Sequence, residues 1–121
     1  MTSRIARLLR LAAGISLVAL IAGCKASNIP VTSIKTLLDD PSRFDHRIVR
    51  IAGDVTRSFG ILGYGAYDVE DGTGKIAVVT KENGAPRIGA KVGVEGEFRS
   101  AFTMGTTTAA AIVERGRYTP R

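Results

Sequence analysis

Residues 48–56 read Ile-Val-Arg-Ile-Ala-Gly-Asp-Val-Thr, and this stretch decides the fold class. Val49, Ile51 and Val55 share one face of a period-two pattern while Arg50, Ala52, Asp54 and Thr56 share the other, the alternation of a half-buried strand. Gly53 interrupts it. A glycine inside a strand marks a bulge or a sharp bend, a device that lets one long strand serve both halves of a small barrel.

The same period recurs toward the C-terminus. Tyr67 and Val69 alternate with Asp68 and Glu70, Asp71-Gly72-Thr73-Gly74 supplies turn chemistry, and Ile76 and Val78 share a face within Lys75 to Thr80, so the two runs predict a hairpin. A breaker-rich loop from Glu82 to Gly89 leads to a strand over Lys91 to Phe98, and a last strand is expected over Thr107 to Arg115. On the N-terminal side, Ile34, Leu37 and Leu38 have helical spacing within Thr32 to Asp40, with Thr32 or Ser33 as N-cap and Pro41 as the stop. One short N-terminal helix and five strands without βαβ alternation predict a mainly β fold. Its expected form is a five-stranded antiparallel barrel of the oligonucleotide/oligosaccharide-binding (OB) type over residues 32–121.

The residues resemble a family of small bacterial OB-fold proteins, many of them lipoproteins and some labelled tRNA-anticodon-binding-like. The likeness runs through Ile34, Leu37, Leu38, Pro41, Phe44, Asp45, Ile48, Arg50, Ile51, Gly53 and Val55, then Tyr67, Val69, Asp71 to Gly74, Ile76 and Val78, and finally Gly89, Val92, Val94 and Gly96. It covers about two thirds of the chain, mostly at core, turn and bend positions, so it implies fold far more than activity. One departure stands out: Lys81 to Ala90 is too short and too rich in Gly and Pro for the helix that many OB domains place there, which leaves the helix before the first strand to plug the barrel.

The segment ahead of the domain reads as targeting. Arg4, Arg7 and Arg10 precede an almost continuous apolar run from Leu11 to Ile21, the plan of a secretory signal peptide over residues 1–23. That run is well short of the roughly 20 residues that span a bilayer. Ile21-Ala22-Gly23-Cys24 resembles the lipobox of bacterial lipoproteins, which implies lipidation of Cys24 and a short tether over residues 24–31. Lys25, in the place where Asp retains lipoproteins in the inner membrane, implies an outer-membrane address facing the periplasm. The expected localisation is therefore the bacterial cell envelope, with the membrane engaged through the lipid.

Composition narrows the function. The 121 residues include one Cys, one His and no Trp, too few for a disulfide framework, a zinc cluster or a histidine metal site, so no metal and no cofactor is expected. Cleavage before Cys24 removes three arginines and lowers the formal net charge from +6 to +3, which weakens the case for a nucleic-acid protein. Asp45-His46 lacks a nucleophile, and a calcium loop counted from Asp68 puts Val79 where an acid is needed. No catalytic set assembles, so the expectation is a binding module rather than an enzyme, with an envelope protein or glycan as partner. A nucleic-acid or polyanion binder is the alternative. The candidate ligand face is Tyr64 and Tyr67 with Arg50 and Arg57, because OB folds bind across their second and third strands with help from the first hairpin loop.

Overall fold

In the computed structural model the described residues are 28–61, 64–81 and 83–120, so the signal segment and Cys24 lie outside them. Helix α1 (Ile34–Asp39) begins at Ser33, whose hydroxyl accepts the Thr36 N–H at 3.3 Å. Ile34 and Leu37 are fully buried, whereas Leu38, expected beside them, is exposed because a six-residue helix turns only one narrow stripe inward. Pro41 does not end the helical region. It opens a second short helix, α2 (Pro41–Phe44), since the first helical position has no use for the N–H that proline lacks. Among the described residues there are therefore two short helices where the sequence predicts one.

Five strands follow: β1 (Ile48–Ile61), β2 (Tyr64–Glu70), β3 (Lys75–Thr80), β4 (Lys91–Met104) and β5 (Thr107–Tyr118). They close in the order β1-β2-β3-β5-β4, the expected OB-type barrel. Four seams are antiparallel and the β3–β5 seam is parallel. The exception follows from parity, because strand directions cannot alternate all the way round a ring with an odd number of members. The parallel seam is also the shortest, spanning Ala77↔Ala111 to Val79↔Val113.

Strand β1 serves both halves of the barrel as predicted, pairing with β4 through Ile48–Asp54 and with β2 through Asp54–Ile61. The bulge, however, falls between Val55 and Arg57 rather than at Gly53. Gly53 serves a different purpose. A Cβ there would lie 2.3 Å from the Glu70 carbonyl oxygen, so only glycine permits the crossing of strands at this point.

The interior is filled by Ile51, Val55, Tyr67, Val69, Val78, Val94, Phe98 and Ile112, with Ile34 and Leu37 of α1 inserted among them. Each such side chain contributes roughly 1.5–3 kcal/mol on burial. Asp71 joins the helix to the barrel: its Oδ1 accepts the N–H groups of Thr73 and Gly74, and its Oδ2 accepts the Ile34 N–H at 2.9 Å. Near the opposite end of β3 the Lys81–Ala90 connection carries no helix among its described residues. It ends in a turn at Ile88-Gly89 that docks on β1, with the Gly89 N–H donating to the Val55 carbonyl and the Val55 N–H to the Ala90 carbonyl.

Candidate functional site

The tips of two hairpins stand on either side of the outer face of β2 and β3. Strand alternation that turns Tyr67, Val69 and Val78 inward turns Ala66, Asp68, Ala77 and Val79 outward, and the first residues of β5 add Ala109 and Ala111. The β1–β2 tip raises Phe59 and Tyr64 on one side, and the β4–β5 tip raises Phe102 and Met104 on the other. Between them lies an open groove of about 820 Å³ with a floor of small apolar side chains. The charged groups among its described lining residues are Arg57, Asp68 and Lys81.

Two of the four predicted face residues reach this groove. Tyr64 is 61% exposed on its rim, and the Arg57 side chain, 70% exposed, holds Nε 3.9 Å from the Asp68 carboxylate. Tyr67 does not reach it. Its alternation with Asp68 and Glu70 points it into the core, where it is 0% exposed. Arg50 does not reach it either, because it stands on the half of β1 that pairs with β4. There its Nε sits 3.2 Å from Glu95 and its guanidinium lies 4.2 Å from the centre of the Tyr118 ring.

Tyr67 belongs instead to a buried polar cluster. Its hydroxyl donates to Glu114, whose side chain is 1% exposed and also receives the Asn83 amide at 3.2 Å and Arg117 Nε at 2.6 Å. Arg117 further donates to the Gly84 carbonyl, so the cluster ties the β3–β4 connection to β5. Burial alone pushes the Glu114 carboxyl up, but hydrogen bonds from Thr80, Tyr67, Arg117 and Asn83 outweigh it and hold the group below its ordinary value. Burial raises the Tyr67 hydroxyl, and its bond to Glu114 raises it further. Tyr67, Asn83 and Arg117 thus all direct donors at the one carboxylate of Glu114.

The remaining candidates separate. His46 adopts φ 62°, which brings Nε2 to 3.4 Å from Asp45 and Nδ1 to 3.3 Å from Glu97, closer to its sequence neighbour than a turn residue is expected to come. Asp68 faces the groove, Glu70 is exposed and Asp71 organises the turn, so the acidic run does not converge. Among the described residues no three His, Cys, Asp or Glu side chains are grouped to hold a metal ion, and no helix is long and apolar enough to cross a membrane.

Sequence reading missed Phe59, Phe102 and Met104 because the first and fourth strands run well beyond their predicted cores. Met104-Gly105-Thr106-Thr107 held the available signal: Gly105, at φ 63°, takes the first central position of a tight hairpin turn, which predicts that β4 and β5 continue to that point.

No family model and no curated protein matches the chain. Solved structures do. A chain described as an aspartyl-tRNA synthetase from Leishmania major Friedlin is similar over 79% of this chain and 21% of its own length, with a TM-score of 0.60 and 12% identity. RecJ from Thermus thermophilus, in complex with Mn2+, is similar over 75% of this chain and 15% of its own, at a TM-score of 0.52 and 14% identity. The OBody AM3L09, bound to hen egg-white lysozyme, is similar over 63% of this chain and 83% of its own, at 0.51 and 15%. At these identities the likeness establishes the OB-type barrel and nothing about activity.

Proposed function

We propose that this chain is a non-catalytic OB-type binding module, held on the periplasmic side of a bacterial outer membrane by lipid on Cys24, that takes an envelope protein or glycan in the groove between its hairpin tips. The groove carries the reading. Phe59, Tyr64 and Met104 keep large apolar surface in water around a floor of Ala66, Ala77, Val79 and Ala111, and exposed apolar surface gathered in a concavity marks a binding site. The OBody bound to lysozyme is a barrel of this shape that takes a protein partner. Among the described residues lining the groove no nucleophile is seen with a supporting base, which favours binding over catalysis. Lipid chains add about 0.8 kcal/mol per buried methylene, so two or three of them on Cys24 would hold the domain at the membrane.

A nucleic-acid or polyanion binder is the second reading, favoured by Arg57 and Lys81 beside the aromatic faces of Phe59 and Tyr64. The likeness to an aspartyl-tRNA synthetase points the same way. Asp68 in the floor weighs against it.

Fractionation of cells producing the wild-type chain or Cys24→Ser tests the anchor. The wild type is expected in the outer-membrane fraction with a diacylated N-terminal cysteine by mass spectrometry, and the variant is expected to be released. An unprocessed, soluble wild type would contradict the reading. Titration with heparin and a dT12 oligonucleotide at low salt tests the alternative. Binding that weakens as salt rises and is lost in Arg57→Ala would favour a polyanion, and no binding would favour the protein or glycan.

A further inference from the structure

We infer that the groove's partner is an extended polypeptide strand, which adds to an open backbone edge at the start of β5 and places a carboxylate against Lys81. The inference rests on the groove reading above and goes beyond it in naming the partner's chemistry.

The open edge follows from the pairing register. Strand β5 pairs with β4 from Thr107 onward, yet it pairs with β3 only from Ala111 to Val113. Residues 107–110 of β5 therefore have a strand neighbour on one side alone, and Thr107, Ala109 and Ala110 line the groove. The turn at Gly105-Thr106 fixes which groups face outward. In a two-residue hairpin the residues flanking the turn, Met104 and Thr107, form a hydrogen-bonded pair, so the next pair, Thr103 and Thr108, is not hydrogen-bonded through its backbone. The 2.9 Å contact between the hydroxyls of Thr103 and Thr108 fits the close side-chain approach of such a pair. Thr108 accordingly turns its N–H and C=O away from β4, toward the open edge.

Nothing along residues 107–110 guards that edge. Thr-Thr-Ala-Ala contains no proline, no lysine and no bulge on β5, the usual means of blocking strand addition, and its side chains are small enough for a second backbone to approach. Charge supplies the polarity of the partner. Lys81 is exposed at the groove and makes no ion pair among the described residues, while Arg57, further along the groove and level with Ala77, has a 3.9 Å contact to Asp68. One carboxylate on the partner complements Lys81. A nucleic-acid strand suits the groove less well: it brings a phosphate at every nucleotide past Asp68, and the alanine and valine floor offers its bases no donor or acceptor.

The full chain, 15N-labelled in detergent micelles, is titrated with a pool of acetylated heptapeptides in which Ala, Val and Thr vary and the last residue is Glu. The same pool ending in Gln, and dT12, are run alongside. The Glu pool is expected to slow hydrogen exchange of the Thr108 amide and shift the resonances of Ala109 and Tyr64. Binding should weaken at least tenfold in Thr108→Pro, hold in Thr108→Val, and weaken severalfold in Lys81→Ala or with the Gln pool. An unprotected Thr108 amide in the wild type under saturating Glu pool overturns the inference whether or not the proline variant folds. A folded Thr108→Pro that binds as the wild type does also overturns it. Perturbation of the groove by dT12 but not by the peptides sinks the polypeptide partner while the groove reading stands, and perturbation by neither sinks both.

Discussion

Tyr64 and Tyr67 lie on the same strand, and the barrel treats them in opposite ways. Tyr64 stands at the groove rim with 61% of its surface in water, whereas Tyr67 is sealed inside with its hydroxyl on Glu114. An odd spacing on a pleated strand sends two side chains to opposite faces, so the inner tyrosine works for stability and the outer one is free for recognition. Arg50 and Arg57 make the same contrast on β1. The first is packed between Glu95 and Tyr118, and the second projects beside the groove.

The contrast breaks first if interior and rim substitutions have equal cost. Phe98→Ala, at a fully buried position, is expected to lose about 3–5 kcal/mol in denaturant unfolding, against less than about 0.5 kcal/mol for Tyr64→Ala. Next comes the polar cluster: Glu114→Gln removes the charged acceptor shared by Tyr67, Asn83 and Arg117 and should cost about 1–3 kcal/mol.

That cluster and the Asp71 turn together set a pH dependence. Glu114 and Asp71 are held below their ordinary values, so their contribution is complete above about pH 4.5 and is lost as the pH falls through the lower folded values. The Tyr67 hydroxyl is shifted upward, so its contribution is complete below about pH 10 and is lost as the pH rises further. Thermal melts across pH are expected to show both limbs, with the acid limb shallower in Glu114→Gln.

Asp71→Ala should cost about 1 kcal/mol, since it removes the acceptor for the first helical N–H and for the turn. A small stability effect is also expected from Arg57→Ala, whose exposed contact with Asp68 contributes about 0–1 kcal/mol. If Arg57→Ala destabilised the fold more than Arg50→Ala, the division between packed and projecting arginines would be wrong.

How much of this was legible in the sequence depends on what period-two alternation can encode. Val49, Ile51 and Val55 declared their face, and Asp71 to Gly74 declared their turn, because both signals are local. Tyr67 was legible as a core residue from its alternation with Asp68. Placing it on the ligand face overrode that signal in favour of its aromatic character. Arg50 was legible only in part: Gly53 marked where β1 passes from one half of the barrel to the other, but no local pattern tells which half carries the groove. Neither the parallel seam nor the breadth of the groove is written in any one segment. Direction follows from closure of the ring, and the groove requires two hairpin tips distant in sequence to flank the same alanines.

The central claim, that this barrel binds through the groove between its hairpin tips, is tested most directly by photocrosslinking in intact cells. A photoreactive residue is placed singly at Phe59, Tyr64 or Met104, and at Leu38 and Ile88 as exposed positions that do not line the groove. One adduct of constant mass, formed from the three groove positions and absent from Leu38 and Ile88, is the result expected. Adducts from Leu38 or Ile88 with none from the groove would contradict the claim.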